Sequence, residues 1–221
     1  MKISIITPVF GHADLTSKFI SSVVGYMDNE SELIIIDNNS PDNTLQVLAS
    51  AKKLFANKVI KIYSNNENVG FGAANNIGAS IAKSENILFI SNDVVILGDF
   101  ISPIVEVLSQ KNVVCGPHLL SNDTGWNSFK QVPVIPYVEG FCMAMHKTNF
   151  NMVQGFDEKF FLDMEDLDLC YRLYLAGVAL TQVNLPVMHQ LGGSFDGLNL
   201  HRSDITEQSL QYFMQKWSFT R

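Results

Sequence analysis

The first half of this chain alternates short, continuous apolar runs with segments of helical periodicity, and that alternation limits its fold more than any other feature. Residues 3–9 are apolar almost throughout, with Pro8 near the end and Gly11 just beyond. An apolar run without polar alternation suits a strand buried on both faces, as in the middle of a parallel sheet. Residues 14–26 then carry Leu15, Phe19, Ile20, Val23 and Val24 near helical spacing, with Asp14 placed to cap the helix. The pair of patterns recurs. Strands are expected over 31–37, 59–63, 86–90 and 113–115, and helices over 44–55, 72–81 and 100–108. Strands alternating with helices predict an α/β layer structure around a largely parallel sheet.

Regularity then stops. Residues 121–136 have little period and read as a substrate-side loop or a sheet edge. Strand-like segments flank Gly140, a helix is expected over 165–176, a strand over 178–183 and a last helix over 203–217. No linker, repeat or low-complexity tract interrupts the 221 residues, so a single domain spanning 1–221 is expected. A formal net charge of -7 argues against a broad nucleic-acid surface. The N-terminal stretch lacks the length and cleavage site of a signal peptide, and no apolar run approaches the ~20 residues of a membrane span. Cys115, Cys142 and Cys170 fit no zinc or redox spacing and read as reduced thiols of a cytoplasmic protein.

In open α/β sheets, ligands bind beyond the carboxyl ends of the strands. Polar residues follow the first four expected strands: Thr7 and Pro8, then Asp37 to Asn39, then Asn65 to Asn68, then Asn92 and Asp93. In a parallel sheet all four sets share one edge. A nucleotide fits there, with Asp37 accepting from a base N–H. Each set alone reads more readily as a turn than as a ligand contact; the repetition favours a ligand. Gly70, Gly72 and Gly78 lack the dinucleotide-binding spacing, and no lysine follows a glycine-rich loop. Asp93 directly follows ILFI. It suits a diphosphate-bound Mg²⁺ or Mn²⁺, which prefers oxygen ligands, and equally an Asx cap.

The run GFDEKFFLDMEDLDLCYR, residues 155–172, sets six acidic side chains among large apolar ones. That pattern places carboxylates at the rim of a packed core, where proton transfer or metal chemistry is available. His189 is a candidate imidazole for the same pocket, although a lone histidine is more often structural or solvent-bonded. No HExxH or GxSxG pattern points to a zinc or serine hydrolase.

Six segments in order resemble family 2 nucleotide-sugar glycosyltransferases, the rhamnosyltransferase-like ones in particular. They are ISIITPVF, LIIIDNNSPDNT, NENVGFGAANNIG, ILFISND, GFDEKFFLDMEDLDLCYRLYLAG and VMHQLGGS. The resemblance covers residues 3–194; the last twenty-odd residues carry no motif. It implies a GT-A fold, with a Rossmann-like, mostly parallel central sheet flanked by helices and an acceptor-side C-terminal portion. Residues 1–115 would mainly bind the nucleotide sugar, and 116–221 mainly the acceptor and the chemistry. By the same resemblance, Thr7, Pro8 and Val9 line the nucleotide and Asp37 reads the base. Asn68 and Gly70 sit beside the nucleotide, and Asn75 and Asn76 open a helix near the diphosphate or donor sugar. Asn92 and Asp93 belong to the metal-binding acidic motif, from which Ser91 and Asn92 depart, and His189 completes the site for Mn²⁺ or Mg²⁺. Gly140 lies beside the donor sugar. Asp166 is the general base and Glu165 its neighbour or an acceptor contact, while Trp126 and Glu139 face the acceptor. Asp163 and Asp168 are local caps or ion-pair partners.

The activity implied is inverting transfer of a sugar from a UDP- or dTDP-linked donor to a hydroxyl of a saccharide, lipid-linked or polysaccharide acceptor. A cytoplasmic enzyme is implied, with room for peripheral association at the inner face of the membrane. Two other readings stand beside it: a nucleotidyltransferase that makes the nucleotide sugar, and a non-catalytic carbohydrate-binding protein on a degenerate scaffold. TPVFGHAD is a poor basic diphosphate loop for the former. Donor sugar, acceptor and oligomeric state do not follow from the sequence.

Overall fold

The computed structural model describes residues 2–110, 112–121, 134–190 and 202–218. Its centre is a seven-stranded sheet. In chain order the strands of that sheet are β1 (Ser4–Val9), β2 (Glu32–Asp37), β3 (Val59–Ser64), β4 (Asn86–Ile90), β6 (Val113–Gly116), β9 (Cys142–His146) and β10 (Ala179–Gln182). Their spatial order is β10-β6-β9-β4-β1-β2-β3. β1 runs parallel to β2 and β4, β2 to β3, and β6 to β10. Only β9 is antiparallel to its neighbours β4 and β6. The sheet is therefore mostly parallel and flanked by helices, as a GT-A architecture requires.

Helices cover both faces, and that double cover explains the continuous apolar runs. On one face Ile3, Ile5, Leu33 and Ile35 pack with Phe19, Ile20 and Val23 of α1 (Ala13–Tyr26) and Ile104 and Leu108 of α4 (Ile101–Gln110). On the other, Ile6, Ile34, Ile36 and Phe89 meet Ala74 and Ala79 of α3 (Phe71–Ile81), and Leu169 and Leu173 of α6 (Glu165–Leu175). Each fully buried aliphatic side chain contributes roughly 1.5–3 kcal/mol. α2 (Thr44–Leu54) lies against α1 and buries little beyond Thr44 and Leu48.

Four short strands pair outside the central sheet. β5 (Val94–Ile96) pairs antiparallel with β11 (Val187–His189), and β7 (Leu119–Ser121) with β8 (Pro136–Val138). All four are three residues long; β8 overlaps the strand-like stretch expected before Gly140, whereas β5, β7 and β11 have no counterpart in the sequence. Segments that short exist through their pairing and have no periodicity of their own. α5 (Lys147–Met152) is a single short helix after β9. Asp14 does not cap α1: it lies in the first turn, and the Ala13 N–H donates instead to Asp42 Oδ2, 3.1 Å away in the loop after β2. α3 starts at Phe71, so Asn75 and Asn76 sit in its second turn and do not open it. Trp126 lies outside the described residues. The three cysteines are buried and unpaired. Among the described residues no helix is long and apolar enough to cross a membrane.

The C-terminal helix α7 (Arg202–Lys216) closes a third cluster, in which Phe213 packs with Phe160, Met164, Leu167 and Ile135. It lies along the acidic run of residues 155–172. Lys216 Nζ bridges Asp157 Oδ2 at 2.7 Å and Asp168 Oδ1 at 2.8 Å. Asp168, fully buried, also pairs with Arg172 at 2.8 Å and accepts from the Trp217 indole at 3.0 Å. A carboxylate buried to that degree is tolerable only because charged donors surround it.

Candidate active site

The parallel strands β1, β2 and β4 end on one side of the sheet, and a cleft of about 280 Å³ opens there. Eleven of the residues expected at a site line it: Pro8, Val9, Asn68, Gly70, Asn92, Asp93, Glu139, Gly140, Glu165, Asp166 and His189. Thr7, Asp37, Asn75 and Asn76 do not. Strand alternation puts Thr7 on the face of Ile5 and Val9, fully buried, with its hydroxyl unpartnered. Asn76 is spent on the protein: its amide donates to the Phe156 carbonyl at 2.9 Å and its oxygen accepts from the Phe156 N–H at 2.9 Å. Asn75, also buried, donates to the Phe71 carbonyl and keeps its own oxygen unpartnered.

Asp37 ends β2 behind the cleft wall, where Asn38 lines the opening. Its Oδ1 accepts from the Ser40 hydroxyl at 2.5 Å and the Ser40 N–H at 3.2 Å, and its buried Oδ2 has no partner. The Ser40 oxygen in turn accepts from the Gly11 N–H, tying the loops after β1 and β2 together. Asn38 donates to the Gly70 carbonyl at 3.2 Å, and Asn68 Oδ1 accepts from the Gly70 N–H at 3.0 Å. Gly70 has φ 86°, and a Cβ there would drive into the Phe161 carbonyl. Only glycine suits that left-handed, crowded position. It lets α3 begin against the acidic run, where the Phe71 N–H donates to that same carbonyl at 3.0 Å.

Asp93 and His189 are ninety-six residues apart in sequence. The β5–β11 ladder removes that separation: His189 stands opposite Val94, and the Gln190 N–H donates to the Asp93 carbonyl at 2.9 Å. The side chains converge in the cleft, with His189 Nε2 3.3 Å from Asp93 Oδ1. That oxygen is buried and lacks a properly aligned hydrogen bond, so the imidazole is close without satisfying it. Phe141 stacks on the His189 ring at 4.2 Å with planes 9° apart. His118, edge-on to Phe141, pairs with Glu139 at 2.5 Å.

Across the cleft stand Glu165 and Asp166, the first two residues of α6. A helix N-terminus favours carboxylate anions, but burial outweighs it here. Asp166 is half-buried and is pushed up to about 6, chiefly by loss of solvent. The Gly140 N–H at 2.9 Å and the Leu167 N–H at 2.7 Å, one on each oxygen, hold it from rising further. Glu165 is only 6% exposed and its Oε2 has no partner. Burial first, then the charges of Asp166 and Asp163, push it well above the ordinary carboxylate range. Burial thus raises both carboxyls of the pair, Glu165 well above its ordinary range and Asp166 to about 6. Gly140 is close-packed on this group: a Cβ there would lie 3.2 Å from the Asp166 Cβ.

The backbone entering α6 is strained. Asp163 and Met164 have φ of 63° and 71°, two consecutive left-handed residues that are not glycine. Such residues cost about 1–2 kcal/mol each and persist only where surroundings enforce them.

The family model for "Glycosyl transferase family 2" matches residues 4–163. The chain belongs to glycosyl transferase family 2. Among curated relatives, the Poly(ribitol-phosphate) beta-glucosyltransferase of Bacillus spizizenii is 40% identical over 95 residues, 42% of this chain. The chain spans 15% of that protein's length. The Rhamnosyltransferase WbbL of Escherichia coli is 25% identical over an alignment covering 82% of this chain and 79% of that protein. Among solved structures, the mannosyltransferase PcManGT from Pyrobaculum calidifontis, in complex with GDP-Man and Mn²⁺, superposes with a TM-score of 0.73. It is 14% identical, and the match covers 97% of this chain and 64% of that one. That likeness is one of fold.

Several cleft residues escaped the sequence reading: Phe10, Phe141, Phe161 and Arg202 all line it. Phe10 and Phe141 directly flank the predicted positions Val9 and Gly140, and Phe161 lies in the acidic run, but aromatic residues beside a site look like any core aromatic. Arg202 had no nearby motif at all, and α7 places it there.

Proposed function

We propose that this chain is an inverting, divalent-metal-dependent glycosyltransferase. It moves a sugar from a UDP- or dTDP-linked donor to a hydroxyl of a saccharide, lipid-linked or polysaccharide acceptor. The observation carrying this reading is the convergence in one cleft of two chemically distinct pairs, Asp93 with His189 and Glu165 with Asp166. The two named relatives above, a glucosyltransferase and a rhamnosyltransferase, support the reaction class.

Asp93 and His189 fit a divalent cation. A buried carboxylate oxygen without a hydrogen bond faces an imidazole nitrogen at 3.3 Å, close to the ~3 Å between neighbouring ligands of an octahedral ion with ~2.1 Å bonds. Among the described residues no third acid, cysteine or histidine joins them, which leaves positions for donor oxygens and water. When bound, Mn²⁺ or Mg²⁺ would supply positive charge against the leaving diphosphate.

The protein's part in the chemistry is proton transfer and positioning. The acceptor hydroxyl oxygen forms a bond to the anomeric carbon as the bond to the diphosphate oxygen breaks and its electron pair leaves with the nucleotide. Asp166 accepts the hydroxyl proton. The Gly140 and Leu167 N–H groups fix that carboxylate while each oxygen keeps lone-pair capacity for the proton. Glu165, beside Asp166 in the cleft lining with one carboxyl oxygen unpartnered, would hydrogen-bond a sugar hydroxyl. No enzyme nucleophile is needed, so a single displacement inverts the anomeric centre. Asp37 Oδ2 would read the base, and Asn68 and the Gly70 turn would border the nucleotide.

The test is a thermal-shift screen of UDP- and dTDP-sugars, followed by product analysis with the best binder. At least one donor should raise the melting temperature, and its transfer should require Mn²⁺ or Mg²⁺. Absence of stabilisation by every nucleotide sugar would overturn the reading.

A further inference from the structure

The last helix carries no recognisable motif, yet its side chains grip the segment that presents the acidic pair. Arg202, Thr206, Ser209, Phe213 and Lys216 follow one another at helical spacing and form one stripe of α7. Arg202 Nη2 donates to Asp163 Oδ1 at 3.1 Å, and the Thr206 hydroxyl lies 2.5 Å from Asp163 Oδ2. The Arg202 carbonyl is a second acceptor for Thr206, at 2.9 Å, but the carboxylate is closer and charged and takes the single proton. The Ser209 hydroxyl donates to the Leu162 carbonyl at 2.6 Å, and Phe213 packs on Met164. Both side-chain oxygens of Asp163 are thus held from α7, and so are the residues on either side of it.

Asp163 and Met164 are the two left-handed residues that turn the chain into α6. Relaxing either one to ordinary helical or extended backbone would swing Glu165 and Asp166 relative to the cleft. A strained turn next to reacting groups needs external contacts to hold it, and here those contacts come from a helix about forty residues further along the chain.

We infer that α7 is a positioning clamp: by holding Asp163 it keeps the strained turn in the one conformation that aims Glu165 and Asp166 into the cleft. Thr206 is a positioning residue, outside the cleft lining, and acts through Asp163. The inference rests on the transferase reading for its kinetic consequence, but its structural consequence is independent of that reading.

The test uses the full chain. Thr206→Val removes the hydroxyl at nearly constant volume, and Thr206→Ser restores it. Amide hydrogen exchange is followed at residues 163–168 and at the C-terminal half of α6. UDP affinity and single-turnover transfer at saturating donor are measured alongside. Thr206→Val should accelerate exchange at 163–168 only, leave the UDP Kd within about twofold, and slow transfer by about tenfold or more, as expected for a misaimed base. Thr206→Ser should match the wild type in every measurement. Ser209→Ala, which releases the Leu162 carbonyl, serves if Thr206→Val does not fold. Unchanged exchange at 163–168 in the folded variant overturns the inference, and so does a transfer rate equal to wild type. If the wild-type chain transfers no sugar while Thr206→Val still accelerates exchange at 163–168, the transferase reading is refuted and the clamp stands.

Discussion

Transfer should fail on the acid side near pH 6, and Asp166 should be the cause. Loss of solvent raises this carboxyl from 3.8 to about 6, against the pull of two N–H groups. The direction is fixed by the sign of the shift. A raised carboxyl keeps its proton to higher pH, so the active anion is lost as pH falls through the raised value. With a value of about 6, roughly 0.9 of the enzyme holds the base ionised at pH 7 and roughly 0.1 at pH 5. Single-turnover transfer at saturating donor should therefore drop about tenfold between those limits, whereas an ordinary aspartate would lose about a tenth. The assay holds Mn²⁺ and donor saturating at each pH, with donor Kd measured in parallel so that lost binding is not read as lost chemistry. Asp166→Asn should abolish most transfer at every pH and leave donor Kd nearly unchanged. Glu165→Gln, which keeps the size and hydrogen-bonding reach of the side chain, should be milder. A rate that stays flat from pH 7 to pH 5 would refute the assignment. An active Asp166→Asn beside an inactive Glu165→Gln with donor still bound would reverse the two roles.

Asp93→Ala should cut Mn²⁺-dependent transfer by about 100-fold or more while circular dichroism stays native; full activity of the variant, or of the wild type in chelator, contradicts the Asp93–His189 cation site. Asp37→Ala should weaken UDP or dTDP binding by about 10–100-fold, the value of one hydrogen bond to a charged acceptor, with little change in the chemical step; calorimetry giving equal affinities would remove Asp37 from base recognition. Gly70→Ala combines a φ of 86° with a collision at the Phe161 carbonyl, so chemical denaturation should show a loss of roughly 2–4 kcal/mol; wild-type stability would show that the turn relaxes freely.

The sheet was legible in the sequence because its physics is local. Strands buried on both faces are apolar at most positions, so residues 3–9, 32–37 and 86–90 announced themselves, and helices between them showed the 3.6-residue period. The polar residues at those strand ends lie along the edge where the cleft opens for the same reason: a parallel sheet puts its strand ends together. The sequence reading of 155–172 as carboxylates at the rim of a core also holds, with Asp157, Asp163 and Asp168 taken up by α7 and Arg172 while Glu165 and Asp166 face the cleft.

What only the tertiary structure decided is distance and protonation. Nothing in the chain between Asp93 and His189 signals that they meet; a three-residue antiparallel ladder, too short to leave a pattern, brings them to 3.3 Å. Likewise, a carboxylate at a helix start reads as a stabilised anion, and the macrodipole argument alone lowers its pKa. The folded cleft strips water from Glu165 and Asp166 and reverses that sign. Desolvation depends on what every other segment places around a side chain, so no local pattern encodes it. The grip of α7 was hidden for a related reason. Its docking face is built from Arg202, Thr206, Ser209 and Lys216 as much as from Phe213, so it lacks the apolar stripe by which a buried helix is recognised, and its partners lie across the fold in the acidic run.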